Sequence, residues 1–453
     1  MKKNLLLIIA PLIIIFLILF YLKFYKSHKM ENPSYPKIVV VGLDGAGWNL
    51  INLLIKKLPN IRRLMKEGSY GILKTIKPTK SSVIWTSIAT GKSMVKHGIV
   101  DWTYVNRANI RVPYTRSERR AKAFWNILSE RGIKVGVVNW FLTFPPEKVN
   151  GFIVSDRFRH LIRKKTTKRS LTTYPAFLEK RLYFALQNRK SFKKILKEEN
   201  LPDYRTWSTS ETNIKRKTHD FKRKKRLVDF YPIFLLEDKT IEIVSLYLYK
   251  KFPVDAFATY FRLIDVVSHF GCGYINPDLL KKGIEEEEKK GKVSKKTLAL
   301  IDKAFSKIME PVYSYFDRIL GKFLELINDD TTFIVISDHA FGFYKGGYGH
   351  YDTPEIPHGI ILIKGPHIKK KYKIKDAHIY DILPTILYIL DLPIGKDMDG
   401  KVLLEVFKKD FVKKRKIKYI ETYETPTKRK FEKRDETFDK ELLKELKALG
   451  YIK

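Results

Sequence analysis

The sequence predicts an α/β protein built on a doubly wound, mostly parallel sheet with helices on both faces. Strand-length runs of β-branched and other apolar residues alternate along the chain with longer stretches of helical periodicity. Uninterrupted apolar runs are typical of parallel strands covered on both faces, and their alternation with helices is typical of a doubly wound sheet. With 453 residues, of which 44% are hydrophobic, the chain can form one large domain or two smaller ones.

The first strand is predicted at Lys37–Leu43, a run that ends at Asp44 and Gly45. Apolar residues then recur three and four positions apart over Leu50–Met65, which predicts a helix that Gly68 ends. The same patterns predict further strands at Val135–Asn139, Phe152–Val154, Phe257–Ile264, Thr332–Ser337 and Gly359–Lys364, and helices at Ala121–Leu128, Leu298–Ile327, Ile379–Leu390 and Lys440–Leu449.

A basic stretch interrupts this alternation between about residues 157 and 251, where helix-prone segments such as Arg223–Arg226 are mixed with aromatic residues. We expect an insertion or cap here. A nucleic-acid-binding groove has a similar mixture of Lys, Arg and Tyr, but no recognisable nucleic-acid-binding motif accompanies it. No specific nucleic-acid binding is therefore predicted.

Residues 4–22 form an almost uninterrupted apolar run of the length that crosses a bilayer as a helix. We expect a single transmembrane anchor within residues 1–29. A cleaved signal peptide is the alternative, but the run is long for one and no small-x-small cleavage site follows it. Lysines flank the run on both sides, so the charges do not fix its orientation.

The chain is strongly basic, with 88 Lys and Arg against 49 Asp and Glu and a formal net charge of +39. This excess favours an anionic partner, either a polyanionic substrate or an anionic lipid surface. A general lysine bias is the alternative, although in thermophilic proteins Glu usually rises together with Lys. The single cysteine, Cys272, excludes an intramolecular disulfide.

Acidic residues stand just beyond three predicted strands: Asp44, Asp265 and Asp338. In an open α/β sheet, ligands bind outside the carboxyl ends of the strands, so we expect the three carboxylates in one crevice. His269 follows Asp265 by four residues and His339 follows Asp338 directly. Each Asp-His pair alone is weak evidence for a metal site, because Asp after a strand commonly caps the following helix. Together they predict a metal centre, and carboxylates with imidazoles suit zinc, manganese or iron better than calcium.

The segment PTKSSVIWTSIATGKSMVKHGI, residues 78–99, offers a candidate nucleophile. Ser81 stands just before an apolar run that begins at Val83, so it is expected at a helix N-terminus, where backbone N–H groups and the helix dipole favour an anion. The residues alone leave open that Ser81 or Ser82 is merely a helix cap, and they do not distinguish the two serines.

The chain resembles the type I phosphodiesterase and nucleotide-pyrophosphatase branch of the alkaline-phosphatase superfamily from about Lys37 to Leu404. The resemblance implies an alkaline-phosphatase-like catalytic domain at residues 37–405. The residues themselves place the basic insertion at 157–251 within it, the anchor and its flanks at 1–29 before it, and a charged tail at 406–453 after it. The matching stretches, in the order of the family, are VVVGLDGAGW, PTKSS to TGKSMVKHGI, GVVNWFLTFPPEKVNGFIVSDRF, FRLIDVVSH, VISDHAFGF, GIILIKGPHIK and YDILPTILYILDLPIGKDMDGKVL.

Carried over residue by residue, the resemblance implies two divalent metal ions, with zinc favoured and manganese as the alternative. Asp44, Asp338 and His339 would bind one ion, and Asp265 and His269 would bind the other.

The third ligand of the second ion is, in the family, a histidine shortly after the Asp-His pair. His350 in GGYGHYD and His358 in IPHGII both fit, and His350 is preferred because the surrounding glycines suit a loop that folds over the site. Ser81 aligns with the nucleophile of the family. The resemblance implies hydrolysis through a covalent phosphoserine, with one metal ion stabilising the serine alkoxide and the other stabilising the leaving oxygen and then activating water.

Two motifs bear on the substrate. Nucleotide pyrophosphatases of this family carry an Asn three residues after the nucleophile, where this chain has Ile84, which argues against nucleotides. The Cys/Ser-x-Pro-x-Arg motif of the sulfatase branch is absent from SSVIW, so sulfate esters are not expected. The predicted substrate is an anionic phosphate monoester or diester, with a lipid head group or a nucleotide-like ester as candidates.

Two alternative functions fit the same sequence. A membrane transferase would move a phosphoglycerol or phosphoethanolamine head group to an acceptor through the same phosphoserine. A non-catalytic relative would bind membrane or a polyanion through the basic insertion, but loss of function usually erodes metal ligands, and here they are retained. By analogy with anchored relatives, we expect the catalytic domain on the outer side of the membrane.

Overall fold

The computed structural model of the chain describes residues 37–162, 171–187, 192–203, 220–271, 274–344, 347–350, 357–425, 436–449 and 452. Its strands are β1 (Ile38–Leu43), β2 (Ser69–Lys74), β3 (Thr103–Val105), β4 (Arg111–Pro113), β5 (Val135–Val138), β6 (Gly151–Val154), β7 (Thr173–Tyr174), β8 (Ala256–Phe261), β9 (Thr332–Ile336), β10 (Gly342–Tyr344), β11 (Gly347–Gly349), β12 (Gly359–Lys364), β13 (Tyr372–Lys373), β14 (Ala377–His378), β15 (Ile394–Gly395) and β16 (Tyr419–Ile420).

The α-helices are α1 (Trp48–Leu54), α2 (Pro59–Glu67), α3 (Ser81–Thr90), α4 (Met94–His97), α5 (Phe124–Glu130), α6 (Phe177–Gln187), α7 (Phe192–Glu198), α8 (Asp220–Lys251), α9 (Leu263–Gly271), α10 (Pro277–Lys290), α11 (Lys295–Leu326), α12 (Ile382–Ile389), α13 (Lys409–Lys414) and α14 (Glu436–Leu449). Short 3-10 helices lie at Ile55–Lys57, Arg116–Glu118, Phe158–Ile162, Ile379–Asp381 and Leu404–Val406.

Within the described residues, ten strands form one mostly parallel sheet in the order β13-β2-β12-β9-β1-β8-β5-β6-β7, with β14 also paired to β2. The central strand β1 is parallel to both of its neighbours, β8 and β9, and β5 and β6 continue the parallel arrangement beyond β8. On the other side, β12 is antiparallel to β9 and to β2. Because β1, β8 and β9 are parallel neighbours, the residues that follow them emerge at the same edge of the sheet.

Both faces of the sheet are buried, because alternate residues of β1 enter two separate apolar clusters. Val39 and Val41 pack into a cluster that includes residues of α8 and α11. Ile38 and Val40 pack into the other cluster, with residues of α3, α5 and α12. The predicted mixed α/β fold with a large, mostly parallel sheet and helices is confirmed.

Several predicted elements begin or end elsewhere in the structure, and two of these differences have a direct bearing on the fold. The helix expected at Leu50–Met65 is broken into α1, a 3-10 helix and α2, since Pro59 is the first residue of α2 and Leu58 before it has φ −116° and ψ 71°. A residue that precedes proline is biased away from the α conformation, which explains the break. The strand expected at Phe257–Ile264 ends at Phe261, and α9 follows from Leu263.

The region predicted as an insertion contributes to the core as well as to the surface. Side chains of α8 from Tyr231 to Leu248 pack into the same cluster as Val39 and Val41 of β1. The long helix therefore covers one face of the sheet, and the limits of the inserted region and of the tail remain predictions.

The predicted membrane anchor, residues 4–22, and the single cysteine, Cys272, lie outside the described residues. None of the helices that the structure describes is both long enough and apolar enough to cross a bilayer. The prediction of a single-pass membrane protein with its catalytic domain on the outer side is corrected by this finding, and so is the prediction of the membrane as a partner.

Candidate active site

Three neighbouring strands deliver acidic side chains to one edge of the sheet. Asp44 directly follows β1, Asp265 lies in the first turn of α9 after β8, and Asp338 stands two residues after β9. The pairing of β1 with β8 and β9 continues to the last residues of the strands. All three carboxylates are buried, each less than 4% exposed, so the structure brings them together as the strand order of a parallel sheet requires.

Asp44, Asp338 and His339 form a first group, in which one donor atom from each lies within 4.8 Å of the others. His339 Nε2 is 3.4 Å from Asp44 Oδ1 and 3.4 Å from Asp338 Oδ2. The other ring nitrogen, Nδ1, is 3.2 Å from the carbonyl oxygen of Ala340. Because a carbonyl oxygen only accepts, Nδ1 carries the hydrogen in this contact and the Nε2 lone pair points towards the acids.

Asp265, His339 and His350 form a second group, again with donor atoms within 4.8 Å of one another. His269 adjoins it, since its Nε2 lies 3.4 Å from Asp265 Oδ1 and 3.0 Å from His350 Nε2. The spacing of four residues places Asp265 and His269 on one face of α9. His350 Nδ1 lies 3.0 Å from the carbonyl oxygen of Thr79, so Nδ1 donates there and Nε2 is left for the site.

His358 lies apart from both groups. Its Nδ1 accepts a hydrogen bond of 3.2 Å from the backbone N–H of Thr75, and its backbone forms an isolated antiparallel bridge with His339. Of the two histidines that the sequence left open, the structure thus places His350 among the acids and ties the imidazole of His358 to the backbone.

The two adjacent serines face different surroundings. Ser81 is the first residue of α3 and fully buried. Its Oγ donates to Asp44 Oδ1 at 3.4 Å and lies 3.3 Å from His339 Nε2. Ser82 Oγ instead donates to the backbone carbonyl of Asp101 at 3.0 Å. The position of Ser81 at the start of a buried helix also gives it the local field that favours an anion.

Burial dominates the electrostatics of the acids. Burial, together with the charges of Asp338 and Asp265, raises the pKa of Asp44 well above its usual value, and burial raises the pKa of Asp338 to about 7. Burial also opposes ionisation of Asp265, but the imidazoles of His269, His350 and His339 together outweigh it and hold the pKa of Asp265 below the usual range. Burial, with the charges of the neighbouring imidazoles, lowers the pKa of His350 well below its usual value, so this ring is neutral.

This donor set fits divalent metal ions. Carboxylates buried side by side are unfavourable unless a cation compensates them. Asp338 Oδ2 is buried and, within the described residues, has no hydrogen-bond partner, as expected if the Nε2 of His339 beside it carries a lone pair. Carboxylates and neutral imidazoles are ligands of zinc and manganese, and a bound cation would lower the raised pKa values of Asp44 and Asp338.

Two residues that support Asp44 and its loop were not predicted from the sequence. The hydroxyl of Tyr260 in β8 donates a hydrogen bond to Asp44 Oδ2, and Ser337 Oγ accepts from the backbone N–H of Ala46 at 2.9 Å. Tyr260 sits in a buried strand, where an aromatic residue is ordinary core, so no sequence signal distinguishes it. Gly45, by contrast, was noted in the sequence as the residue after Asp44. Its φ is +77°, and a Cβ there would lie 3.0 Å from the Cα of Asp265, so the position requires glycine.

Comparisons with known proteins relate the chain to one sequence family and to several solved structures. A sequence model of the type I phosphodiesterase / nucleotide pyrophosphatase family matches residues 38–383. No match was found among curated protein sequences. Murine ectonucleotide pyrophosphatase / phosphodiesterase 5, an inactive variant in complex with AMP, superposes with a TM-score of 0.48 at 12% identity, covering 82% of this chain and 100% of that one. Phosphonate monoester hydrolase from Silicibacter pomeroyi superposes with a TM-score of 0.44 at 12% identity, covering 83% and 78%.

Proposed function

Because this chain belongs to the type I phosphodiesterase / nucleotide pyrophosphatase family and is a phosphoric ester hydrolase, we propose that it cleaves phosphate esters by transferring the phosphoryl group to Ser81. The resemblance to the type I phosphodiesterase and nucleotide-pyrophosphatase branch predicted from the sequence is confirmed by this family match. The covalent intermediate, the two metal ions and the role of each side chain are the content of the proposal.

One observation carries the proposal: the Oγ of Ser81 lies at the junction of the acid and imidazole groups. It is 3.4 Å from Asp44 Oδ1 and 3.3 Å from His339 Nε2. Ser81 and His339 are fully buried and Asp44 nearly so. A hydroxyl removed from water and surrounded by cation ligands is in the environment in which serine is activated as a nucleophile.

The proposed metal ligands are those implied by the resemblance, with His350 in preference to His358. Asp44, Asp338 and His339 would hold one divalent ion. Asp265, His269 and His350 would hold the other, with zinc favoured over manganese. When bound, the two ions supply Lewis-acid stabilisation of the attacking and leaving oxygens.

The chain itself supplies the position of the nucleophile and a buried site around it. Ser81 Oγ forms a bond to phosphorus as the ester P–O bond breaks; the alcohol receives the electron pair of that bond, and the proton that Ser81 releases ends on the departing alcohol. Water then attacks the phosphorus of the phosphoserine and the bond between phosphorus and Ser81 Oγ breaks. One proton of the water restores the serine hydroxyl, and the water oxygen leaves with the phosphate. The N-terminus of α3 favours the negative charge carried by the phosphoryl group throughout.

The proposed substrate is a phosphate monoester or diester. Ile84, three residues after Ser81, is fully buried in the apolar cluster that contains Trp85, so this position offers no amide to a nucleotide phosphate. The transferase alternative has no observation in its favour here. The non-catalytic alternative conflicts with the family and with the retained acids and imidazoles.

The test compares Ser81→Ala with Ser82→Ala as a matched control one residue away. We expect Ser81→Ala to abolish turnover of 4-nitrophenyl phosphate esters while the metal content, measured by plasma mass spectrometry, stays at the wild-type level. Ser82→Ala should retain turnover, because its hydroxyl contacts only the Asp101 carbonyl among the polar groups described. Unchanged activity of Ser81→Ala would refute the proposal.

A further inference from the structure

The C-terminal helix α14 forms part of the wall of the candidate active site. A small cavity lies against Asp44 and Asp265, and Leu442 and Leu446 of α14 line it. The sequence predicted a charged tail here, but Leu446 is only 1% exposed and packs into the apolar cluster that contains Ile38 and Val40. Aromatic and basic side chains complete the wall, among them Trp102, Phe141, Arg159 and Arg262.

The cavity is too small for a substrate while α14 is seated. Its free volume is about 20 Å³, and a single water molecule needs on the order of 10–15 Å³ of such volume. The hydroxyl of Ser81 is also fully buried. An ester that enters beside Asp44 and Asp265 needs more room than this cavity gives, so part of the wall has to move or to limit what enters.

Helix α14 is the part of the wall that comes from the C-terminal segment of the chain. Tyr260 and Asp265 belong to β8 and α9, which lie in the centre of the fold. Among the described side chains of α14, Leu446 and Asp439 are the buried ones, and Asp439 forms an ion pair of 3.8 Å with the buried Arg157. The opposite face carries exposed lysines. Leu446, the partly buried Leu442 and this ion pair are among the contacts that hold α14 against the cavity.

We propose that α14 sets the size of the ester group that the active site accepts, with Leu442 and Leu446 as the specificity-determining residues. The inference rests on the proposed function, since it concerns entry to the same site. Esters with a compact alcohol need a small displacement of the helix. Esters with a long aromatic alcohol need a larger displacement, because two leucine side chains occupy the space that the second ring would fill.

The experiment uses the full chain and two esters whose alcohols have similar acidity and different length, phenyl and 4-biphenylyl. Phosphate monoesters of both are used if the wild type hydrolyses monoesters, and their methyl diesters if it hydrolyses diesters. Leu446→Ala and Leu442→Ala should each raise the ratio of kcat/KM for the biphenylyl ester over the phenyl ester by roughly tenfold or more. The matched control is Leu443→Ala, the same change on the neighbouring residue, which does not line the cavity.

A second variant tests the proposal independently, in case Leu446→Ala does not fold. Asp439→Lys places a like charge against Arg157 and should raise the same ratio, whereas Lys444→Ala on the exposed face should not. A ratio that stays constant or falls in the leucine variants and in Asp439→Lys, with an active wild type, would overturn the role of α14 and leave the proposed function intact. A wild type inactive on both esters in both classes would refute the proposed function and this inference together.

Discussion

Tyr260→Phe removes one hydroxyl from the support of Asp44 and leaves the packing in place. The Tyr260 ring makes edge-on contacts with Trp85 and Phe141, with centroids 4.9 Å and 5.0 Å away, and the residue is only 1% exposed. Phenylalanine retains both contacts. What is lost is the hydrogen bond from the phenol to Asp44 Oδ2, so the variant tests the orientation of that carboxylate alone.

The expected effect is a loss of metal affinity. A hydrogen bond to a charged group contributes about 1.5–3 kcal/mol, and about 1.4 kcal/mol corresponds to a factor of ten. Roughly 10–100-fold weaker binding at the Asp44 site follows, which is also the usual range for removing a residue that orients a metal ligand. Activity should fall at limiting zinc and recover substantially at saturating zinc.

The assay is competition for zinc against a chromogenic chelator, with kcat/KM measured at limiting and saturating zinc. Tyr388→Phe is the control, since its hydroxyl donates at 2.8 Å to the carbonyl of Arg415 and not to the site. If Tyr260→Phe binds zinc as tightly as the wild type and Tyr388→Phe, the hydroxyl does not position Asp44 and the reasoning is wrong.

Three further outcomes are expected. His350→Ala should lose one of the two proposed metal ions and His358→Ala should keep both, as measured by metal content; equal contents would refute the choice between them. Removing metal with a chelator should lower the melting temperature, because the buried acids then lack compensation, and added zinc or manganese should restore it; an unchanged melting curve would contradict this. Burial raises the pKa of Asp238, which accepts from the backbone N–H groups at the start of α9, to about 7, so the folded state holds a proton that the unfolded chain releases near pH 4. Wild-type stability should therefore fall as pH rises from about 4 to 7. The melting temperature of Asp238→Asn minus that of the wild type should increase over the same pH range. A difference that is independent of pH would exclude the effect.

The sequence predicts the fold and the site well where a local residue pattern determines where a strand ends. A buried parallel strand reads as a continuous apolar run, so the strands before Asp44 and Asp338 were predicted with their ends within a residue or two. The parallel order then placed the carboxylates at one edge. Strand β2 was not predicted, because its burial alternates and Gly71 interrupts the apolar pattern.

The remaining features depend on contacts between distant parts of the chain. Ser81 and Ser82 are equivalent in the sequence, and only the rotation of α3 against β1 decides which hydroxyl reaches Asp44. His350 and His358 differ in the same way, by the path of the chain after β9. The packing of Leu446 near the site joins residues hundreds of positions apart and has no local signal.

The central claim is that Ser81 carries the phosphoryl group during turnover. The most direct measurement is mass spectrometry of peptides from enzyme that is quenched with acid during steady-state hydrolysis of a phosphate ester. We expect one phosphoryl group on Ser81, its absence from Ser81→Ala, and its persistence on Ser81 in Ser82→Ala. Full turnover with no phosphorylated Ser81, or with the group on Ser82, would contradict the mechanism.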